Sequence, residues 1–326
     1  MNMVCFDLEG PLVLEDNAYE LMKLIPGGKG VFEVISRYDD LLSLEEGTYE
    51  PGNTLSLVAP FLIHYGIREE TIVSMGERAH LTPGVQELIS DLNLHGWQIF
   101  CISTSYEQYA LTVIQRLGIR KKNVTATPFP LDHLRQSFRQ EDSRLVEQVA
   151  AQIADLKPVT DDDEIKKKLD LFYGEKLQEA SLSKIISDIR PVGGRHKVAA
   201  LKVFVQRTGV PLSCWAVIGD SITDARMLHA VNSEGGLAIA FNANEYALSH
   251  ATVSLASTNS GDLLSLLSAW TEGGRSAAED FVKTKAVAGA AGGVFHWLSE
   301  ENDLAHISKI HNKMRRLLRK EAGQLG

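Results

Sequence analysis

Short apolar runs alternate with segments of helical periodicity along most of the chain. Between two of these runs, Val85, Leu88, Ile89 and Leu92 recur at helical spacing, and Gly96 ends the pattern. The runs themselves are nearly continuous in apolar residues, which is typical of strands covered on both faces. The six predicted strands span residues 3–6, 97–103, 123–129, 214–220, 236–241 and 251–256. This alternation predicts an α/β fold with a doubly wound, Rossmann-like parallel sheet.

Two long segments of helical periodicity interrupt the predicted sheet. We expect residues 17–80 to form a helical cap and residues 131–189 to form a second helical insertion. The charged run DDDEIKKK at residues 161–168 is interpreted as a solvated turn between helices rather than a binding patch. The α/β core then comprises residues 1–16, 81–130 and 190–275, and residues 276–326 form C-terminal helices.

The last of these helices is amphipathic in pattern. Ile307, Ile310, Met314 and Leu317 are predicted to share one face, with lysine and arginine on the other. We interpret it as a packing helix whose basic last turn complements the helix dipole. Contact with an acidic partner or a membrane surface is the alternative.

Composition narrows the class of protein. The 326 residues are 44% hydrophobic and 23% charged, as in ordinary globular proteins, and the formal net charge of -9 argues against general nucleic-acid binding. No apolar run approaches the ~20 residues that span a bilayer, and the start of the chain has no secretory pattern. Cys5, Cys101 and Cys214 lie in or beside strand-like runs. We expect three reduced, buried thiols in a cytoplasmic protein without a membrane partner.

Polar side chains collect at the ends of the predicted strands. In an open parallel sheet, ligands bind beyond the carboxyl ends of the strands. Residues two apart in an extended segment point the same way, so the two acids after the first strand share a face. Each of these residues alone could be a helix cap, but their joint occurrence predicts one polar rim. The rim comprises Asp7, Glu9, Ser103, Thr104, Ser105, Asp220 and Asp224, together with Lys197, which follows the loop PVGGR.

This set of residue types suits phosphoryl transfer. Carboxylates and a backbone carbonyl form the hard oxygen site that Mg²⁺ prefers, and a free carboxylate can attack phosphorus. A lysine and hydroxyl groups offset the charge of the phosphoryl oxygens. A second acid can protonate the leaving oxygen and later activate water.

Four segments resemble the motifs of the haloacid dehalogenase superfamily of phosphohydrolases. They are FDLEG, PGVQELISDLNLHGWQIFCIST, the lysine at 197 and GDSITDARML. The spacing is most similar to the phosphoserine phosphatase-like branch, in which a helical cap lies between the first and second motifs and a DLEG first motif occurs. The resemblance covers the core strands and residues 17–80, but not residues 131–189 or the C-terminal helices.

The resemblance implies a role for each matching residue. It implies that Asp7 is the nucleophile and a metal ligand, and that Glu9 is the acid/base, with its carbonyl on Mg²⁺. By the same resemblance, Asp220 is a metal ligand and Asp224 is a further ligand or a partner of the ligands. The phosphate-binding residues it implies are Ser103 and Lys197, with Thr104 and Ser105 as lesser candidates.

Glu9 is the one departure from the common pattern, because most phosphatases of the superfamily have aspartate there. The longer side chain moves the carboxyl group outward by about one bond, and a shift of about 1 Å can cost on the order of a hundredfold in rate.

Three functions remain open at this stage. The first is a Mg²⁺-dependent phosphatase acting on a small phosphorylated metabolite through an aspartyl phosphate. The second is a phosphotransferase that passes the phosphoryl group to an alcohol. The third is a partner-binding subunit that retains the fold without catalysis. A homo-oligomer formed through the second insertion or the C-terminal helices is an expected assembly.

Overall fold

A sheet of seven strands lies at the centre of the described part of the protein. The computed structural model describes residues 2–45, 49–158, 161–176, 181–288, 293–298 and 303–319. The strands are β1 Met3–Phe6, β2 Gln98–Tyr106, β3 Val124–Thr127, β4 Trp215–Gly219, β5 Leu237–Phe241, β6 Val253–Ala256 and β7 Val294–Trp297. Their order is β3-β2-β1-β4-β5-β6-β7, and every pair is parallel except β6 with β7. The predicted doubly wound α/β fold is therefore confirmed.

The antiparallel edge strand corrects one expectation. Residues 276–326 were assigned to helices alone, yet β7 lies among them and pairs with β6. Its four residues are too few to distinguish a strand from a helix by periodicity. It covers the edge of β6, which would otherwise present unpaired backbone groups.

Helices surround the sheet and form the two insertions. Their bounds are α1 Asn17–Lys23, α2 Gly28–Leu44, α3 Thr54–His64, α4 Glu69–Arg78, α5 Val85–Leu94, α6 Glu107–Arg116, α7 Leu131–Leu134, α8 Gln140–Ile153, α9 Asp162–Leu169, α10 Ser181–Asp188, α11 Arg195–Thr208, α12 Ala225–Ser233, α13 Glu245–Leu248, α14 Leu263–Ala288 and α15 Leu304–Arg319. Within the described residues, no helix combines the length and the apolar character needed to cross a bilayer.

Strand β1 contributes to a core on each face of the sheet. Val4 and Phe6 belong to the larger apolar cluster, whereas Met3 and Cys5 belong to the smaller one, as the alternation of a strand requires. All four side chains are fully buried. The carboxyl end of β1, where Asp7 follows, is thus held rigidly in the middle of the sheet.

The two insertions pack against each other. Helices α8, α9 and α10 contact α2 or α3 of the cap segment. Arg37 of α2 donates two hydrogen bonds to Asp162 of α9, at 2.8 and 2.7 Å, and Tyr38 donates to Asp170 at 2.8 Å. The predicted solvated turn at residues 161–168 is wrong, because most of that run forms α9 and buries Ile165.

Two further expectations are corrected by burial. Cys5 and Cys101 are buried as predicted, but Cys214 is exposed at the start of β4. In α15, Leu317 is 61% exposed, whereas Ile307, His311, Arg315 and Arg319 are buried. The predicted apolar face is thus buried only at Ile307 and half-buried at Ile310 and Met314, and the last two turns bury arginines in place of Leu317.

Candidate active site

The chain turns sharply at Gly10, directly after the two predicted catalytic acids that follow β1. Asp7 continues the ladder by donating its N–H to the carbonyl of Ile218 at 2.8 Å. Gly10 then adopts a φ of +99°, and a Cβ atom there would lie 2.6 Å from Oδ2 of Asp220. Only glycine combines this conformation with so close an approach. The turn thereby brings the backbone of Gly10 directly against Asp220, an acid that follows β4.

Lys197 joins two of the predicted acids. Its Nζ atom lies 2.7 Å from Oδ1 of Asp7 and 2.7 Å from Oδ1 of Asp224. Helix α11 starts two residues earlier, at Arg195, so the lysine side chain enters the protein from the first turn of that helix. The side chain is fully buried. Burial alone would lower the pKa of Lys197, but Asp224 and Asp7 raise it overall, so the amine remains a cation.

Three buried carboxylates form a candidate metal centre. One ligand oxygen from each of Asp7, Asp220 and Asp224 lies within 4.8 Å of the others. A buried set of oxygen ligands fits Mg²⁺, which binds one or two carboxylates and keeps several waters or substrate oxygens. Oδ2 of Asp224 also accepts from the N–H groups of Asp220, at 3.1 Å, and of Ser221, at 3.2 Å. Both oxygens of Asp224 are engaged in hydrogen bonds, which favours Asp7 and Asp220 as the candidate metal ligands.

The Asp7 carboxyl group is electrostatically strained. Burial and the neighbouring Asp224 raise its pKa to about 7, although Lys197 opposes the rise. A buried carboxylate among other acids favours a cation nearby, because the cation restores the charged form. This environment supports the fit of a divalent metal to the three carboxylates.

Glu9 occupies a different environment from Asp7. Its Oε1 atom accepts hydrogen bonds from Oγ of Ser105, at 2.5 Å, and from the N–H of Asn17, at 2.9 Å. Burial and the neighbouring Asp16 raise the pKa of Glu9 to about 8. The raised pKa favours the protonated form of Glu9, and Oε2 is the oxygen left to carry a proton because Oε1 already accepts two hydrogen bonds. A protonated carboxyl group is the form that a general acid requires.

The predicted phosphate-binding hydroxyl groups lie at different depths. Thr104 lines the central cavity, and its hydroxyl donates to the carbonyl of Val192 at 3.0 Å. Ser103 is fully buried, and its Oγ accepts from the N–H of Ser105 at 3.0 Å. The hydroxyl of Ser105 is committed to Glu9. The assignment of Ser103 and Thr104 to phosphate binding stays a prediction.

A central cavity lies between these residues and the cap segment. From the core it is lined by Asp7, Glu9, Thr104 and the loop at 220–223, and from the cap by residues of α2, α3 and the connection between them. The cap residues include Phe32, Ser36, Asp39, Asp40, Gly52, Thr54 and Leu55. Part of the predicted cap segment therefore lines the same cavity as Asp7 and Glu9, and the role of residues 17–80 as a cap stays a prediction.

Two arginines complete the lining, and the sequence pattern did not identify them. Arg315 and Arg319 come from α15 and are 4% and 8% exposed. Arg319 Nη1 lies 2.9 Å from Oδ2 of Asp220, and Arg315 Nη1 lies 3.1 Å from the carbonyl oxygen of Asp220. The spacing of four residues was the available signal, since it places both arginines on one face of a helix.

Comparison with known proteins identifies the family. A family model described as haloacid dehalogenase-like hydrolase matches residues 85–265, more than half of the chain. The chain belongs to the haloacid dehalogenase-like hydrolases. The matched range contains Lys197, Asp220 and Asp224, and it begins after Asp7 and Glu9. The resemblance of the motifs is thereby confirmed at the level of the superfamily.

The curated relatives are phosphoserine phosphatases. The human enzyme is 29% identical over 126 residues, which cover 38% of this chain and 52% of the relative. The chloroplastic enzyme of Arabidopsis thaliana is 25% identical over 130 residues, which cover 38% of this chain and 39% of the relative. The chain therefore spans about half the length, or less, of these curated relatives.

One solved structure matches over the whole chain. A gene product of Archaeoglobus fulgidus is 28% identical, with a TM-score of 0.86, and the match covers 100% of this chain and 99% of that chain. The insertion at 131–189 and the C-terminal helices, which the motif resemblance did not cover, therefore lie inside the range of this structural match.

Proposed function

We propose that the protein is a Mg²⁺-dependent phosphohydrolase that acts on a small phosphomonoester through an aspartyl phosphate on Asp7. The observation that carries the proposal is the position of Asp7. Its carboxylate lies beside a buried lysine and within 4.8 Å of two further carboxylates, at the base of a cavity that also contains Glu9. The similarity to phosphoserine phosphatases supports the reaction class.

Asp7 and Glu9 divide the chemistry between them. Oδ1 of Asp7 accepts from Lys197, so Oδ2 attacks phosphorus while the bond from phosphorus to the leaving oxygen breaks. Glu9 gives its Oε2 proton to that leaving oxygen, and the alcohol departs. Glu9 then removes a proton from water, which attacks the aspartyl phosphate. Inorganic phosphate leaves, the Asp7 carboxylate is restored, and Glu9 is protonated again.

The remaining residues position and neutralise charge. Lys197 holds Asp7 in place and balances negative charge that develops on the phosphoryl oxygens. Asp224 fixes Lys197 from the other side and binds the loop that carries Asp220. When bound, Mg²⁺ supplies Lewis-acid stabilisation of the phosphoryl oxygens and lowers the repulsion among the carboxylates. Over the site, the cap residues exclude bulk water.

Phosphate release from p-nitrophenyl phosphate tests the proposal. We expect Mg²⁺-dependent release by the full chain and none by Asp7→Asn, which also fails to retain radiolabelled phosphate after acid quench. Asp163→Asn, an exposed acid on α9, is the matched control and should behave like the wild type. Turnover by Asp7→Asn would refute the nucleophile. Transfer of the phosphoryl group to added alcohol in place of water would establish the phosphotransferase reaction instead.

A further inference from the structure

Helix α15 brings two buried cations to one acid of the metal centre. Arg319 Nη1 lies 2.9 Å from Oδ2 of Asp220, and Arg319 Nε donates to the carbonyl of Leu14 at 2.9 Å. Arg315 Nη1 lies 3.6 Å from the same Oδ2 and 3.1 Å from the backbone oxygen of Asp220. We refer to Arg315 and Arg319 as the arginine pair. Both arginines form ion pairs with Asp220, although their helix lies about a hundred residues further along the chain.

The arginine pair is more than a packing contact. Burying a guanidinium group costs several kcal/mol unless it is well paired, and leucine or isoleucine would fill such positions without that cost. Yet α15 buries its arginines and leaves Leu317 61% exposed. The buried positions of its last two turns therefore serve the charge of Asp220 rather than the apolar core.

The arginine pair and a divalent cation require the same carboxylate. Asp220 is one of three acids whose oxygens lie within 4.8 Å, and the arginine pair already supplies positive charge to it. A cation that arrives at this cluster meets two guanidinium groups of like charge across one aspartate. It must either displace Arg319 from Oδ2 or share Asp220 with it, and both weaken its binding.

We propose that the arginine pair competes with Mg²⁺ for Asp220, so that α15 closes the metal-free site and is loosened when the metal binds. This inference rests on the proposed metal-dependent function and deepens it. Arg319 lines the cavity, and its described hydrogen bonds come from Nε and Nη1, so its Nη2 group is available to an anion. Once Mg²⁺ takes Asp220, the guanidinium groups face the cavity as a site for the anionic group of the substrate.

Calorimetric titration of the full chain with Mg²⁺ tests the competition directly. We expect Arg319→Gln to tighten Mg²⁺ binding by roughly tenfold and Arg315→Gln to tighten it less, since Arg315 lies further from Oδ2. Arg319→Lys keeps the charge and should remain close to the wild type. Arg316→Gln, on the exposed side of the same helix, is the matched control and should leave the affinity unchanged.

The outcomes separate this inference from the proposed function. Equal or weaker Mg²⁺ binding by Arg319→Gln would overturn the competition and leave the metal-dependent function standing. No Mg²⁺ binding by the wild type would overturn both. Hydrogen exchange gives an independent measurement that does not depend on any variant folding. Mg²⁺ should speed exchange in the last two turns of α15, and slower exchange there would refute the loosening.

Discussion

Replacing Lys197 by methionine tests the electrostatic centre of the site. The lysine side chain is fully buried and lies 2.7 Å from both Asp7 and Asp224. At an effective dielectric constant of about 20, each contact is worth roughly 6 kcal/mol of Coulomb attraction. Desolvation of the three ions offsets several kcal/mol per ion. Removing one partner of such a buried set typically lowers the free energy of unfolding by about 3–5 kcal/mol, because the remaining charges stay uncompensated.

Urea unfolding of Lys197→Met with a chelator present should therefore show a loss of about 3–5 kcal/mol. With excess Mg²⁺ the loss should shrink, because the metal supplies positive charge to the same carboxylates. Adding Asp224→Asn to Lys197→Met should recover part of the stability, since it removes one of the two acids left without a partner. A double-mutant cycle then measures the coupling between Lys197 and Asp224.

Lys202→Met is the matched control, because Lys202 lies on the same helix and is exposed. It should change the free energy of unfolding by about 0.5 kcal/mol or less. A loss of stability in Lys197→Met no larger than in this control would refute a stabilising role of Lys197 between the two carboxylates. A loss of the same size with and without Mg²⁺ would show that the carboxylates do not share one cation site.

Three further predictions follow from the surroundings of the other acids. Glu9→Gln should slow the hydrolysis of alkyl phosphates roughly 10²–10⁴-fold and that of aryl phosphates less, because an aryl leaving group needs little protonation. Equal effects on both substrates in a steady-state assay would show that Glu9 is not the general acid. Asp220→Asn should weaken Mg²⁺ binding roughly tenfold or more by calorimetry, and an unchanged affinity would remove it from the ligand set. Asp40 has a pKa raised to about 7 by burial and by Asp39, so the folded state loses stability as pH rises from about 4 through 7. Asp40→Asn should therefore be more stable than the wild type at pH 8, by on the order of 1 kcal/mol, and no more stable at pH 4; the same difference at both values would contradict the shift.

The acids and the lysine of the candidate site were predictable because residues suited to phosphoryl transfer follow strands whose carboxyl ends meet at one edge of the sheet. Asp7 and Asp220 follow adjacent strands, β1 and β4, and the carboxyl ends of parallel strands meet at one edge of a sheet. Lys197 was predicted from its place after a glycine-containing loop in the motif resemblance. The sequence could not show which of these side chains reach the cavity and which are buried beneath it. Ser103 and Thr104 are neighbours in one strand end, yet only Thr104 lines the cavity, because alternate residues of a strand face opposite sides.

The arginine pair was missed for a physical reason. A hydrophobic pattern assigns arginine to the solvent face of a helix, and in α15 the buried face shares Ile307 with the apolar face but continues through His311, Arg315 and Arg319. The rule fails when a distant carboxylate supplies the counter-charge that makes burial possible. Asp220 is separated from Arg315 by 95 positions, so no local pattern connects them. The same limit applies to β7, whose strand conformation depends on pairing with β6.

The different surroundings of the Asp7 and Glu9 carboxyl groups explain why two acids stand two residues apart after β1. Alternation along the strand carries both side chains toward the cavity, but their partners differ. Asp7 meets a lysine that favours its charged form, whereas Glu9 meets a hydroxyl, a backbone N–H and the repulsion of Asp16. Burial raises the pKa of both groups; Lys197 opposes that rise at Asp7 through direct contact, whereas Arg319 opposes it at Glu9 without a described ion pair. A metal ion beside Asp7 would widen the difference further, leaving one acid ionised to attack and the other protonated to donate.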